Sequence, residues 1–336
     1  MDMFSIIFSE FLSKAAGPSS RLWPVYLLIT LGICFALYRR QNISTSFLQW
    51  LFPKAIYFHA SHLVDVKIFV LGKIFSTLGL FSLVFFSAVV SKAIVSVFGG
   101  SASAAPLHPV WIAALLLLVS DFSTYWVHRI HHENRIIWPF HSLHHSAEVM
   151  TPVTVYRKHP IYDLISSFVR GILVGVLQGI MLCVFLQEPS FAAIAGVNAC
   201  YVLFNIAGSN LRHSHVWLSF GRVIEHFIIS PAQHQIHHSI DPRHYNKNYG
   251  EVLAIWDWMF GTLYVPQAQE RIEFGLGDKA GNRLRQRHDS LTAALYVPIR
   301  DSAVQIKKAL TRHSGASAAT PKAMNRTPSP AKPPAE

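Results

Sequence analysis

The sequence predicts an all-α membrane protein: a polytopic transmembrane helical bundle of about four to five spans, with a cytoplasmic helical cap that holds a histidine-rich dimetal site. Three observations lead to this fold class. Of the 336 residues, 51% are hydrophobic and only 14% are charged, whereas a soluble domain carries roughly 25% charged residues. The apolar residues lie in long uncharged runs, and histidines cluster near the ends of these runs.

Five apolar runs are candidates for membrane spans, because about 20 residues cross the hydrocarbon of a bilayer. They cover about residues 22–37, 74–97, 110–127, 164–186 and 191–207. The first run lacks the basic start and the small-residue cleavage site of a signal peptide. We therefore expect it to be a retained helix.

Charge predicts the orientation of these spans. Arg39 and Arg40 follow the first run and place its end in the cytoplasm by the positive-inside rule. Counting spans from there puts the histidines of residues 128–145 and 213–238 on the cytoplasmic face. The net charge of +11 suits anionic lipid headgroups, and no recognition motif accompanies it that would indicate nucleic acid.

The clustered histidines have the spacing of metal ligands. On a helix, positions i, i+3 and i+4 share one face. Eight histidines follow that spacing: His128, His132, His141, His144, His145, His234, His237 and His238. Eight imidazoles exceed the four ligands of one tetrahedral zinc, so we predict that two metal ions share them. Nitrogen donors suit zinc, iron and copper alike.

Carboxylates are few near the histidines. Asp121 lies two helical turns before His128 and is expected to accept a hydrogen bond from the second nitrogen of a ligand. A carboxylate inside a span is usually functional. Glu133 and Asp257 are further candidates for such outer contacts. His132 and Glu133 are not followed by the second histidine of an HExxH motif, which disfavours a zinc protease of that type.

Several short motifs surround the histidines. They are DFSTYWVHRIHHE from Asp121, WPFHSLHHS from Trp138, HS from His213, PAQHQIHHS from Pro231, NYG from Asn248, WD from Trp256 and FGT from Phe260. Together they resemble the fatty acid hydroxylase/sterol desaturase superfamily over about residues 110–265. Members of that superfamily are membrane enzymes with a histidine-bound diiron centre, which use dioxygen and two external electrons to hydroxylate or desaturate lipids.

The resemblance implies a cofactor of two iron ions (Fe²⁺) on the eight clustered histidines, with His213 as a ninth ligand. His215 departs from the family, which usually has asparagine there. Ser209 stands where some fatty acid hydroxylases have a further ligand, and His159 is a candidate to take its place. The ligand set beyond eight histidines therefore stays open at this point.

The resemblance and the residue patterns together predict a domain organisation. Residues 110–265 are a fatty acid hydroxylase-like catalytic domain, as the resemblance implies, and the apolar runs make residues 1–109 an N-terminal membrane region with two spans. Residues 266–313 are a cytoplasmic C-terminal segment, and a composition rich in Ala, Pro, Ser and Lys predicts a disordered tail over residues 314–336. The implied function is hydroxylation of a lipid, such as a fatty acyl chain, a sterol or an aminolipid of the ornithine lipid type. A lipid or sterol desaturase and a carotenoid hydroxylase are the alternatives within the family.

The sequence holds no haem-binding HPGG element, four-cysteine cluster or GxGxxG fingerprint. Electrons are therefore expected from a separate reductase, ferredoxin or b-type cytochrome. A C-terminal lysine pair is absent, which favours a bacterial inner membrane over the endoplasmic reticulum. A histidine-rich metal transporter is the alternative of another class, but it would place its ligands near the bilayer midplane rather than at span ends. The oligomeric state is not defined by the sequence.

Overall fold

The computed structural model describes residues 2–79, 84–99, 108–185 and 191–317. Within these ranges the chain is mostly α-helical and contains isolated β-bridges but no β-strand, which confirms the predicted all-α class for this part. The helices are α1 Met3–Ala16, α2 Pro24–Arg40, α3 Phe47–Leu51, α4 Lys54–Tyr57, α5 Ala60–Thr77, α6 Val84–Phe98, α7 Pro109–Glu133, α8 Trp138–His145, α9 Pro160–Phe185, α10 Phe191–Ile206, α11 Pro231–His237, α12 Ile255–Met259 and α13 Leu291–Ser317. The 3₁₀ turns are Pro152–Tyr156, Ser209–His213, Ile224–His226 and Pro242–His244.

Two of the described helices are long and apolar enough to cross a membrane. They are α7, with 25 residues, and the segment Pro160–Val184 of α9, also with 25 residues. A third candidate is the pair Phe47–Tyr57 and Ala60–Thr77, which bends by 84° at its break. These helices characterise an integral membrane protein.

The other predicted spans differ from the helices that the structure describes. The run predicted over residues 74–97 is divided between α5, which ends at Thr77, and α6, which begins at Val84. Helices α2 and α10 overlap the first and fifth runs but have 17 and 16 residues. The outer turn expected near Glu188 lies outside the described residues. Helix α13 continues to Ser317, four residues into the tail predicted from residue 314.

The helices that carry the histidines begin at local sequence signals. Proline occupies the first turn of α7, α8, α9 and α11, where its missing N–H leaves no hydrogen bond unmade. In α11, Ser230 and Gln233 form a capping box. The Gln233 N–H donates to Ser230 Oγ at 3.2 Å, and the Ser230 N–H donates to Gln233 Oε1 at 3.0 Å. The histidines of α11 therefore follow a well-defined helix start.

Helix α9 packs against both α6 and α7, and α7 also packs against α10. Gly175 permits the close approach of α9 to α6, because a Cβ atom there would lie 2.7 Å from the Cβ of Val90. Small residues are commonly used at helix interfaces inside membranes for this reason. The contact of α9 with α7 brings the first turns of α9 beside the end of α7 that carries histidines.

A buried ion pair ties the helices around the histidines together. Arg157 Nη1 lies 2.7 Å from Asp65 Oδ1 of α5, and neither side chain is exposed. Arg157 also donates to the carbonyl oxygen of Leu143 in α8 at 2.8 Å and to that of His288, before α13, at 3.1 Å. One guanidinium thus joins α5, α8 and the segment that leads into α13.

We expect Arg157→Met to lower the free energy of unfolding by about 3–5 kcal/mol, because Asp65 would stay buried without its partner. The midpoint of thermal unfolding in detergent measures this effect. Arg243→Met is the matched control, because Arg243 pairs with Asp241 at 2.7 Å while its side chain is 68% exposed. The control should change the stability by less than about 0.5 kcal/mol. Equal midpoints for the two variants would contradict a structural role for Arg157.

Candidate metal centre

Nine of the ten histidines predicted as ligands lie in two adjacent groups, and within each group the candidate ligand nitrogens are no more than 4.8 Å apart. The first group consists of His128, His132, His141, His145 and His237, and the second consists of His144, His213, His234 and His238. Each group has the size of a site for one cation. That these side chains bind metal stays a prediction.

The two H-x-x-H-H motifs each divide their histidines between the groups. In α8, the i and i+4 histidines belong to the first group and the i+3 histidine belongs to the second. At α11 the assignment is reversed, and only the i+3 residue, His237, belongs to the first group. The rings of His145 and His238, which belong to different groups, stack with their centroids 4.4 Å apart. Each helix therefore supports both groups and fixes their separation.

The ring nitrogens have the spacing of a metal coordination shell. His213 Nε2 lies 3.2 Å from His144 Nε2 and 3.1 Å from His234 Nε2. A neutral imidazole nitrogen carries one hydrogen or one lone pair, so two such contacts are not both good hydrogen bonds. The Nε2 atoms of His132 and His237 are buried and have no hydrogen-bond partner among the described residues. A cation with bonds of about 2.1 Å to nitrogen brings its ligands to about 3.0–3.4 Å from one another, so this donor set fits a metal.

Two rings of the first group are oriented by backbone carbonyl groups. His128 Nδ1 donates to the Tyr249 carbonyl oxygen at 2.8 Å, and His237 Nδ1 donates to the Lys247 carbonyl oxygen at 2.7 Å. Donation from Nδ1 leaves the lone pair on Nε2, where a metal can take it. Asn248, between the two carbonyl groups, adopts a positive φ of 56°, which asparagine tolerates better than most residues.

The carboxylates of Asp257 and Asp121 hold this loop and bond to its backbone rather than to a histidine. Asp257 accepts hydrogen bonds from the backbone N–H groups of Tyr249 at 2.8 Å and Gly250 at 2.7 Å. Asp121 accepts from the backbone N–H of Val252 at 3.0 Å, from that of the next residue at 3.1 Å and from an indole N–H at 3.0 Å. The direct bond to a ligand nitrogen expected for Asp121 is not formed. Both carboxylates act on the ligands through the loop.

The structure brings neither His159 nor Glu133 into the two groups. His159 Nε2 donates to the Leu295 carbonyl oxygen at 2.9 Å, and its Nδ1 accepts from the Ile161 N–H at 3.1 Å. Both nitrogens of His159 are therefore used in hydrogen bonds to the backbone. Glu133 accepts from Arg129 Nε at 2.9 Å, and its side chain is 46% exposed. Glu133 takes part in a surface ion pair.

Burial controls the charge of the histidines that lie outside the membrane spans. It lowers the pKa of these side chains well below the ordinary value, and neighbouring imidazoles or Arg212 lower the pKa further. The histidines concerned are His141, His144, His145, His213, His234, His237 and His238. These rings are therefore neutral near pH 7. Neutral imidazole is the form that binds metal.

A cavity of about 210 Å³ opens on both histidine groups. Its wall includes His128 and His141 of the first group and three members of the second. Arg212, which sequence reasoning missed, also lines it, and its Nη2 lies 2.9 Å from His234 Nδ1. The signal in the sequence that could have identified Arg212 was its position directly before the candidate ligand His213.

The wall of this cavity also contains polar residues of α9 that sequence reasoning missed. They form a polar stripe that consists of Asp163, Ser166, Ser167 and Arg170. Their i, i+3, i+4 and i+7 spacing places them on one helical face, within an otherwise apolar helix. Because ionisable residues inside a span are costly and usually functional, this spacing was a signal in the sequence for a polar site.

The fold and the site define a class of protein, a helical membrane protein in which two adjacent histidine groups lie beside its candidate spans. A sequence model of the family described as "Fatty acid hydroxylase" matches residues 113–262. This match and the relatives below support assignment of residues 113–262 to the fatty acid hydroxylase/sterol desaturase superfamily, and the resemblance inferred from the motifs is confirmed.

Similar proteins include enzymes of animals, bacteria and fungi whose names describe the oxidation of a lipid. Alkylglycerol monooxygenase of Xenopus tropicalis is 31% identical over 171 residues, which are 51% of this chain and 34% of that protein. Ornithine lipid hydroxylase OlsE of Rhizobium tropici is 31% identical over 163 residues, 48% of this chain and 45% of that protein. Delta(7)-sterol 5(6)-desaturase ERG3B of Gibberella zeae is 27% identical over 188 residues, 52% of each chain. The chain thus spans 34–52% of the length of these relatives, and no solved structure gives a significant match.

The two groups predict how many metal ions each variant retains. We expect about two ions per chain in the unchanged protein, and about one after His132→Ala or His238→Ala, because each substitution removes a donor from a different group. His159→Ala is the matched control and should retain two ions. Elemental analysis of the purified protein measures the metal content. Loss of an ion from His159→Ala, or none from the other two variants, would contradict the assignment.

Acid is expected to release the metal and destabilise the site. Because the pKa of the histidines is lowered in the folded protein, the unfolded chain binds more protons below its ordinary histidine pKa of about 6.5. The stability contributed by the neutral rings is therefore fully present above about pH 6.5 and is lost as the pH falls towards the folded-state pKa. Metal binding follows the same direction, since protons compete for the nitrogens. Metal content measured after equilibration between pH 7.5 and pH 4 tests this, and an unchanged content at the lowest pH would refute it.

Proposed function

We propose that this protein is a membrane diiron oxygenase that hydroxylates a lipid with dioxygen and external electrons. The observation that carries the proposal is that one cavity opens on both histidine groups. Two adjacent metal positions facing one cavity suit an oxidation that needs both ions and a bound substrate. The printed names of the relatives, which include monooxygenases, a lipid hydroxylase and sterol desaturases, support the same chemistry.

Two Fe²⁺ ions are the proposed cofactor, held by the nine histidines of the two groups. When bound, they supply the activation of dioxygen and the oxidation of a C–H bond. The balanced change replaces C–H by C–OH: one dioxygen, two electrons and two protons are consumed, and one water is released. The chain holds the ions with neutral nitrogen donors, orients the rings through the loop carbonyl groups and limits the access of water to the cavity.

A membrane lipid is the proposed substrate because the cavity lies between the candidate spans α7 and α9. Thr124 and Val127 of α7 line it together with the polar stripe of α9. A lipid in the bilayer is thus next to both helices that line the site. The proposed catalytic domain is residues 110–265, with 1–109 as an N-terminal membrane region, 266–313 as a cytoplasmic segment and 314–336 as a tail.

The proposed topology has about four to five spans and a cytoplasmic helical cap that contains the site, with a bacterial inner membrane as the location and the endoplasmic reticulum as the alternative. Arg39 and Arg40, at the end of α2, support the cytoplasmic orientation through the positive-inside rule. A separate reductase, ferredoxin or b-type cytochrome supplies the two electrons from that side.

Incubation of the iron-loaded protein with a lipid extract, dioxygen and a reductant tests the proposal. We expect a lipid product heavier by one oxygen atom, whereas a desaturase would give a product lighter by two hydrogen atoms. His144→Ala should reduce turnover at least about 100-fold, because it removes a donor from the second group. His226→Ala, outside both groups, is the control and should retain turnover. Full activity of His144→Ala would contradict the ligand assignment, and a metal-loaded protein that moves ions but alters no lipid would favour a transporter.

A further inference from the structure

The cavity at the metal centre has an unusually charged wall for a site that oxidises a lipid. Six charged side chains line it: Arg21, Lys158, Asp163, Arg170, Arg212 and Glu251. An acyl chain or a sterol ring in this cavity would displace water from these groups and offer nothing in return, which is costly. The wall therefore indicates a polar occupant.

Two of the four cations are already used by the protein. Arg212 Nη1 donates to the Glu251 carbonyl oxygen at 2.8 Å, and its Nη2 lies 2.9 Å from Nδ1 of a histidine of the second group. Arg21 donates to Ser209 Oγ and lies 3.9 Å from Glu251 Oε1. These two arginines stabilise the wall itself.

Three of the other charged groups, Lys158, Arg170 and Asp163, are free to bind a ligand. Lys158 and Arg170 form no hydrogen bond or ion pair with the residues that the structure describes, and the nearest ring to the Lys158 ammonium is that of Tyr162, at 5.8 Å. The Asp163 carboxylate accepts no hydrogen bond within the same part of the chain. The charges of Lys158 and Arg170 act on both Asp163 and Glu251, so the four groups share one space.

We propose that this cavity binds a zwitterionic lipid headgroup, which carries an anionic carboxylate or phosphate together with a cationic amine. Lys158 and Arg170 bind the anionic group, and Asp163 and Glu251 bind the amine. The inference rests on the proposed function and specifies the substrate class of the same site. An occupant of one charge sign would leave either Asp163 or the two free cations, Lys158 and Arg170, without a ligand group of opposite charge.

The size of the cavity determines which part of the lipid is oxidised. Its 210 Å³ is less than the roughly 300–1,000 Å³ of pockets that enclose a drug-sized molecule. The cavity therefore holds a headgroup and the first carbon atoms beside it, and the acyl chains extend between α7 and α9. Because histidines of both groups line the same space, the C–H bond that becomes C–OH lies in the headgroup or next to it.

The full-length protein in lipid nanodiscs allows a direct comparison of headgroups. Four lipids with the same acyl chains serve as probes: an aminoacyl lipid with a free amine and carboxylate, phosphatidylethanolamine, anionic phosphatidylglycerol and neutral diacylglycerol. Native mass spectrometry measures binding, and tandem mass spectrometry locates the added oxygen. We expect at least one of the two zwitterionic lipids to bind about tenfold more tightly than the other classes and to gain oxygen in its headgroup fragment. The difference in binding between the two zwitterionic lipids shows whether the cavity prefers a carboxylate or a phosphate as the anionic group.

Substitutions of one cation and one carboxylate of the cavity test the assignment of residues. Arg170→Gln and Glu251→Gln should each weaken binding of the preferred zwitterion at least about tenfold, as expected for loss of a hydrogen bond to a charged group. Arg135→Gln and Glu273→Gln, both outside the cavity, are the matched controls and should bind as the unchanged protein does. The metal content of every variant is measured, so that loss of the metal centre is not mistaken for loss of headgroup binding.

The outcomes separate this inference from the proposed function. Equal binding of all four lipids, an oxygen placed far along an acyl chain, or unchanged binding by both cavity variants would overturn the headgroup proposal. Absence of an oxygenated product from every lipid would refute the oxygenase, while the binding measurements would still decide which headgroup the cavity prefers.

Discussion

The site depends on one constraint: imidazole nitrogens that are buried away from water need a partner. A buried polar atom left without one costs about 1–3 kcal/mol, and Nε2 of His132 and Nε2 of His237 are in this position. A cation in each group satisfies several nitrogens at once. The reciprocal use of the two H-x-x-H-H motifs follows from this constraint, because α8 and α11 each contribute to both groups. Two candidate metal positions thereby lie side by side between two short helices.

The residues around the two histidine groups help to fix the positions of the histidine rings. The loop that carries Tyr249 provides the carbonyl groups that orient two rings, and two carboxylates outside it fix its backbone. Gly250 is required in this loop because a Cβ atom there would lie 2.9 Å from Asp257 Oδ2. Helix α9 contributes differently on two of its faces: glycines allow it to pack closely on α6, and a polar stripe faces the cavity. Its packing and its contribution to the site are therefore separable by mutation.

The sequence was sufficient for the helical class and for selecting eight histidines that the fold brings together, because hydrophobic runs and i, i+3, i+4 spacing are local signals. His213, which also lies in these groups, was indicated by the family resemblance and not by spacing. It could not distinguish His159 from a ligand, since that depended on hydrogen bonds to the backbone of distant Leu295 and neighbouring Ile161. Local spacing also could not predict the role of Asp121, because its hydrogen-bond partners lie about 130 residues away in the chain. Helix α5 ends at Thr77, inside a run that hydropathy alone presents as continuous. The spacing of the polar stripe of α9 could be seen in the sequence, but only the structure shows that the stripe lines the cavity.

The central claim is that two metal ions lie side by side, one in each histidine group. Anomalous X-ray scattering at the iron absorption edge, measured on crystals of the iron-loaded protein, tests it directly. The account predicts two iron peaks per chain, one surrounded by His132 and its group and the other by His238 and its group. A single peak, or peaks outside the two groups, would contradict it.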